Sequence, residues 1–378
     1  MMKIALFTCH RDPNYGSMLQ AYALYKALQK MGFDSEYIDY TISNDPNLPL
    51  RKIKRMIKWP LRRLRDLVYP TKPTGEFGFL KTKEFADLIT AYKKFHMQYI
   101  PVSTKKYYSD TIRMKFDVSS YDNYIVGSDQ TWSPILYNPK APYFLDLCDF
   151  PRKNSYAPSF GTVDIPEFYI SILKQKLKSF DNISCRELVN SIKLSQLLDR
   201  KVNHVLDPTL LLSQKDWDEI AKKTVIDGDY ILAYILGEKD CVINFAERLG
   251  RKYNLPVYYI VTRPKYLCMQ NSLNGVGPAY WIGLIKGARY IVTDSYHGCL
   301  FSVNYCKDFY AFSKRDGGLD NKDNIRIIEF LKMIGLESRF QDDLDSQFLN
   351  DIDYNKCNHI IIEKRDESIG YLYNCVHK

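Results

Sequence analysis

The chain has 378 residues, and 53 Lys+Arg against 44 Asp+Glu leave a formal net charge of +9. Hydrophobic residues at 46% and charged residues at 26% exclude wholesale disorder and collagen-like repeats, and at roughly 150 residues per domain the length predicts two domains or three. No run approaches the ~20 apolar residues of a membrane-spanning helix, and Met1 leads straight into a strand-like run instead of a secretory signal, so a cytoplasmic protein is expected.

In chain order, Lys3–Thr8 reads as a strand, Cys9–Gly16 as a polar loop, and Ser17 as the cap of a helix running to about Met31. Ser35–Tyr40 is the next strand, which makes the opening of a parallel sheet with right-handed crossovers. Residues 41–120 carry turn-rich stretches around a basic segment and give no clear pattern. Strands follow at Asn123–Val126, Lys153–Tyr156, Asn182–Cys185 and His204–Leu206. A second unit begins at the apolar run Tyr230–Leu236. It continues through a helix at Val242–Tyr253, a strand at Val257–Val261, a helix at Ala279–Lys286 and a strand at Arg289–Thr293. A helix from Ser295, a strand at Phe309–Phe312, a helix at Asn324–Gly335 and a long helix at Asp351–Val376 complete the chain.

This pattern predicts two doubly wound α/β domains facing each other. The N-terminal one spans residues 1–215 with an insertion at about 41–120, the second spans 225–345, and 346–378 form a C-terminal helix. Such sheets bind ligands at the carboxyl ends of their strands. The distinctive polar residues fall there: Asn14, Ser17, Ser128, Asp129, Gln130, Ser159, Arg186, Glu187, Asp294, Ser295 and His297.

Ser295 is a good N-cap, which puts His297 in the first helical turn, where the helix dipole attracts anions and suits a ring poised for proton transfer. Gly298 would permit close approach of a ligand. The alternative is a histidine with only a local hydrogen-bonding role. Arg186 ends a strand and could present its planar fork to a carboxylate or phosphate, or simply pair with Glu187 at the surface. Lys314 and Arg315 precede Gly317-Gly318, as either an anion-gripping lid or a solvated turn. The loop Asn14-Tyr15-Gly16-Ser17 lacks G-x-G-x-x-G and reads as one glycine that lets a ligand or the opposite domain approach a helix N-terminus. The nine cysteines have no zinc-type spacing and the six histidines are scattered, so no metal is expected.

Taken together, the segments resemble the polysaccharide pyruvyl transferase family over nearly the whole chain. The resemblance rests on Asn14-Tyr15-Gly16-Ser17-Met18-Leu19-Gln20-Ala21-Tyr22-Ala23-Leu24, Gly127-Ser128-Asp129-Gln130-Thr131-Trp132 and Ser155-Tyr156-Ala157-Pro158-Ser159-Phe160-Gly161. It continues in Ser184-Cys185-Arg186-Glu187, Leu206-Asp207-Pro208-Thr209-Leu210-Leu211 and Thr293-Asp294-Ser295-Tyr296-His297-Gly298. It implies a GT-B-like fold and transfer of a pyruvyl group from phosphoenolpyruvate, as co-substrate with no further cofactor, to hydroxyls of a cell-surface polysaccharide or its lipid-linked precursor. On that footing His297 takes the general acid/base role, and Arg186 with Lys314 or Arg315 binds the donor anion together with Ser295 and Gly298. Asn14, Ser17, Asp129 and Gln130 would face the acceptor sugar. A nucleotide-sugar glycosyltransferase, or a non-catalytic binding protein on the same fold, are the alternative readings.

Residues 51–65 hold eight basic residues and no acid, which leaves 45 basic against 44 acidic elsewhere (53 less 8). The excess charge is therefore local, which argues against a general nucleic-acid binder. With Ile53, Met56, Ile57, Leu61 and Leu64 at helical spacing, the segment suits peripheral contact with an anionic membrane, or a surface helix packed on the domain; nucleic-acid binding is a third reading, disfavoured by the near absence of base-stacking aromatics.

Overall fold

A computed structural model describes residues 2–43, 83–134, 142–162, 165–237, 239–314, 324–341 and 346–377. The basic segment 51–65 and Arg315 lie outside the described residues.

The first sheet is parallel throughout, with order β3-β2-β1-β4-β5, from β1 (Lys3–Phe7), β2 (Asp34–Thr41), β3 (Val102–Tyr108), β4 (Asn123–Val126) and β5 (Lys153–Ser155). A short parallel pair, β6 (Ser184–Cys185) and β7 (Asn203–His204), continues beyond β5 through a bridge between Asn154 and Asn182. The second sheet has order β10-β9-β8-β11-β12-β13. Its strands are β8 (Ile231–Tyr234), β9 (Val257–Ile260), β10 (Ser272–Leu273), β11 (Tyr290–Thr293), β12 (Asp308–Phe312) and β13 (Phe340–Gln341), again all parallel.

Alternation along the central strands explains the layering, because successive side chains point to opposite faces. On β1, Ile4 and Leu6 join one core while Ala5 and Phe7 join another. On β11, Ile291 faces the first core, and Tyr290 and Val292 a third. The first core is shared between the domains. The Tyr15 ring stacks on Trp281 at 5.1 Å and meets Tyr234 edge-on at 5.6 Å, while Trp217 lies 4.8 Å from Phe301. The domains are thus joined by continuous aromatic packing.

The first helix, Tyr15–Lys30, starts earlier than its sequence suggests. Its cap is Asn14, whose Oδ1 accepts from Ser17 N at 3.3 Å, so Ser17 is not the cap. Asn14 is extended while Ser17 already lies within the helix, which frees the Ser17 hydroxyl to reach another strand end. A helix at Lys83–Tyr99 and β3 fill part of the unread 41–120 stretch, and helices at Glu167–Leu177 and Leu188–Leu198 add to the first domain. The last helix, Tyr354–His377, returns from the second domain to the first. Asn123 Nδ2 donates to Cys375 O at 2.8 Å, Tyr371 OH to Ser155 O at 2.9 Å, and Leu206 N to Ser368 Oγ at 3.0 Å.

Candidate active site

In each sheet the strand order reverses once, between β1 and β4 and between β8 and β11. At such a point neighbouring loops leave in opposite directions and open a crevice. Register keeps the loop starts level: Phe7 pairs with Val126, and Thr293 with Tyr234. Asn14–Ser17 and Ser128–Gln130 leave the first switch point, and Asp294–His297 the second.

Ser295 is the cap of helix Tyr296–Asn304, accepting from Gly298 N at 3.3 Å, and His297 stands in the first turn as the sequence predicts. Across the domains, His297 meets Gly16. A Cβ added there would lie 2.1 Å from His297 Nδ1, so only glycine lets the ring sit at that helix N-terminus. On its other side His297 Nε2 is 3.5 Å from Asp207 Oδ2.

Asp207, after β7, is the hub. Its Oδ2 accepts from Arg186 Nη1 at 2.7 Å and from Ser128 Oγ at 3.4 Å, and its Oδ1 accepts from Thr209 N at 3.0 Å and Thr209 Oγ1 at 2.8 Å. Burial pushes this carboxyl up, but the His297 ring, Arg186 and the Thr209 amide outweigh it and hold it well below the usual carboxylate range. Exposures of 1% for Asp207, 5% for Arg186 and 8% for His297 place all three away from bulk water, where charge interactions are strong.

Arg186 also lies 3.6 Å from Glu187 Oε1, with its guanidinium 4.7 Å from the Tyr296 ring centre. The pair with Glu187 is therefore buried; it is not on the surface. Glu187 in turn accepts from Ser159 Oγ. On the N-terminal side, Ser17 Oγ donates to Asp129 Oδ2, and Gln130 N donates to Asp129 Oδ1 at 2.9 Å. Asp129 has φ 71°, a left-handed conformation that Asp tolerates. The Gln130 amide, with its oxygen turned toward Arg326, accepts from Nη1 at 3.1 Å and Nη2 at 3.3 Å.

Three residues have surroundings that the sequence could not show. The space a Cβ on Gly298 would fill is taken by Thr293 Oγ1 at 2.4 Å, so its close approach is to its own strand. Asp294 accepts from Leu236 N at 2.6 Å and Gly237 N at 2.7 Å, which fixes the loop after β8. Burial raises its pKa, partly offset by those two amides and by Lys314, which lies beside this loop.

Sequence reasoning missed Asp207, Tyr296 and Arg326 as site residues. Asp207 and Tyr296 stand inside motifs already singled out, but what they face is decided by the other domain. Arg326 had one faint signal: a cation in the first turn of helix Ile325–Ile334, where the dipole disfavours it. Among the described residues, no group of three or more His, Cys, Asp or Glu is placed to hold a metal ion.

Two Rossmann-like domains, with the polar cluster between their switch points, define a GT-B-type fold. The model of the polysaccharide pyruvyl transferase family matches residues 14–314, and the chain belongs to that family. No curated protein matches it. Among solved structures it is similar to UDP-GlcNAc 2-epimerase from Methanocaldococcus jannaschii, at 12% identity over 97% of this chain and 91% of that one, with TM-score 0.47. It is also similar to E. coli ADP-heptose lps heptosyltransferase II, at 10% identity over 96% and 99%, with TM-score 0.38. S. aureus TarM in complex with fondaparinux, alpha-GlcNAc-glycerol and UDP is similar at 8% identity over 100% of both chains, with TM-score 0.49.

Proposed function

We propose that the protein transfers the pyruvyl group of phosphoenolpyruvate to two hydroxyls of a sugar in a cell-surface polysaccharide or its lipid-linked precursor, forming a ketal and releasing phosphate. Family membership supports the transferase class. The observation that carries the finer reading is the buried chain from His297 through Asp207 to Arg186.

His297 gives a proton to the methylene carbon, which leaves a cation at C2 stabilised by its oxygen. A sugar hydroxyl adds there and gives its proton to the now neutral His297. Phosphate then leaves with its bridging oxygen, and a second hydroxyl closes the ketal, its proton going to phosphate or solvent. Asp207 orients the ring from its Nε2 side, which leaves Nδ1, beside Gly16, as the nitrogen that exchanges the proton. Arg186 binds a donor anion, with Ser295 and Gly298 at the same helix N-terminus and with Lys314 and Arg315 further members of the donor side. Asn14, Ser17, Asp129 and Gln130 line the acceptor side. A nucleotide-sugar donor is less well supported, because Asp294 is buried at 5% exposure and its carboxylate serves to hold the Leu236 and Gly237 amides of the loop after β8.

The proposal includes a cytoplasmic setting, with residues 51–65 holding the protein against the anionic inner face of the membrane. No helix among the described residues is long and apolar enough to cross a membrane. Flotation with anionic vesicles should carry the protein up, and neutralising the basic residues should abolish this.

Thermal-shift measurement against phosphoenolpyruvate and a set of nucleotide sugars tests the donor. Stabilisation specific to phosphoenolpyruvate, followed by phosphate release with a saccharide acceptor, is expected. Stabilisation by a nucleotide sugar alone overturns the reading.

A further inference from the structure

The buried groups around Tyr296 are unevenly matched. The carboxylates are engaged: Asp207 by Arg186, Ser128 and Thr209, Glu187 by Ser159, and Asp129 by Ser17 and the Gln130 amide. Glu329, one turn beyond Arg326, accepts from Leu188 N at 3.0 Å and Val189 N at 3.2 Å, so it caps a helix of the opposite domain. The atoms left without a hydrogen-bond partner on the two arginines are all donors: Nε and Nη2 of Arg186, and Nε of Arg326.

Arg326 is the odder of the two. Among the described residues its only hydrogen-bond acceptor is the neutral amide of Gln130, and its guanidinium lies 5.8 Å from the same Tyr296 ring that Arg186 approaches to 4.7 Å. Burial lowers its pKa, and the neighbouring Arg186 charge lowers it further, which marks the two cations as mutually repelling. Buried charged donors left unmatched are costly, and each calls for an acceptor from outside the chain, whether a ligand, an ion or a water. Both arginines line one cavity of about 500 Å³, together with Tyr296 and Asp207 and with apolar walls that include Leu188 and Phe330.

We infer that Arg326 is a second donor-binding residue, which reaches from the C-terminal domain to act with Arg186 on a ligand carrying two separate anionic groups. This rests on the donor reading above, since phosphoenolpyruvate has a carboxylate and a phosphate on adjacent positions. Each guanidinium takes one anion, and the ligand charge relieves the repulsion between them. Arg326 is thereby the residue that discriminates a two-anion donor from a one-anion fragment.

Calorimetric titration with phosphoenolpyruvate, inorganic phosphate and pyruvate tests this on the full chain. The unmodified protein should bind phosphoenolpyruvate more tightly than either fragment. Arg326→Gln should weaken phosphoenolpyruvate roughly 10- to 100-fold, the loss of one charge-assisted contact, and collapse the preference over phosphate. Arg326→Lys, which keeps the charge but not the fork, should fall between the two and guards against a folding defect in the glutamine variant. If the unmodified protein binds phosphoenolpyruvate and both variants bind it equally well, the assignment of Arg326 is wrong and the donor reading stands. If the unmodified protein does not bind phosphoenolpyruvate, the donor reading fails and the assignment with it.

Discussion

Gly16 and His297 come from opposite domains and share one volume: a side chain on the first would overlap the ring of the second, with a Cβ only 2.1 Å from Nδ1. The missing methyl group at one helix N-terminus is what allows the histidine at the other to pack against it.

Gly16→Ala should therefore displace the ring. A stability loss of about 1–3 kcal/mol is expected from the overlap, and a misplaced proton donor should cost roughly 100-fold in phosphate release. Urea denaturation and a phosphate assay measure the two effects. An unchanged rate would mean that the ring position does not matter to the chemistry.

Asp207→Asn keeps the volume but removes the nearer of the two buried carboxylates beside Arg186, leaving only Glu187 at 3.6 Å. A destabilisation of about 3–5 kcal/mol is expected at pH 7. Because the folded-state pKa of Asp207 is depressed, its contribution is present above the unfolded value of ~3.9 and is lost as pH falls below it. The stability difference between the parent protein and the Asp207→Asn variant should accordingly shrink as the pH is lowered through and below ~3.9, as read by chemical denaturation.

A second acid-sensitive element lies in the loop after β1. His10 Nδ1 is 2.9 Å from His96 Nε2, with Arg11 and Asp39 paired beside them at 2.8 Å. Burial, then the neighbouring His96 and Arg11, lowers the His10 pKa to about 3; burial and Arg11 lower that of His96. The unfolded chain thus binds protons that the folded one does not, so stability falls as pH drops from ~6.5 toward 3, by up to about 1.4 kcal/mol per pH unit for His10, with His96 acting in the same direction. His10→Phe, which keeps a ring against Tyr37, should flatten that slope in melting experiments. A slope identical to that of the parent would show that His10 does not contribute.

The C-terminal helix should be indispensable. It supplies Ser368 Oγ to Leu206 N, one residue before Asp207, and Cys375 O to Asn123 and Asn154. Ser368→Ala should cost about 1–3 kcal/mol for the orphaned buried amide. Truncation after Asp353 should abolish cooperative melting, since several buried donors lose their acceptors together.

How much of this is legible in the sequence depends on how local the cause is. Asn123–Val126 is read residue for residue, because a short apolar run bounded by turn residues admits few alternatives. The Ser295 cap and the place of His297 in the first turn follow from side-chain chemistry within four residues. The first helix is different: Asn14 and Ser17 both suit the capping role, and backbone conformation chooses Asn14 where the sequence suggests Ser17. Residues 41–120 give no pattern, yet helix Lys83–Tyr99 supplies Tyr92, which lies against Tyr15 at 5.3 Å; its burial comes from that contact, not from a local signal.

The sequence by itself determined two parallel α/β units, a family membership carried by six ordered motifs, and a net charge concentrated in residues 51–65. Periodicity, capping chemistry and charge act over a few residues, so they can be read in one dimension. Only the tertiary structure decided that Asp207 joins His297 to Arg186, that Gly16 makes room for the histidine, and that Arg326 approaches Arg186 from the other domain. Those relationships span up to 281 positions along the chain between Gly16 and His297. They exist because the two switch points face each other, and no local pattern in the sequence specifies that geometry.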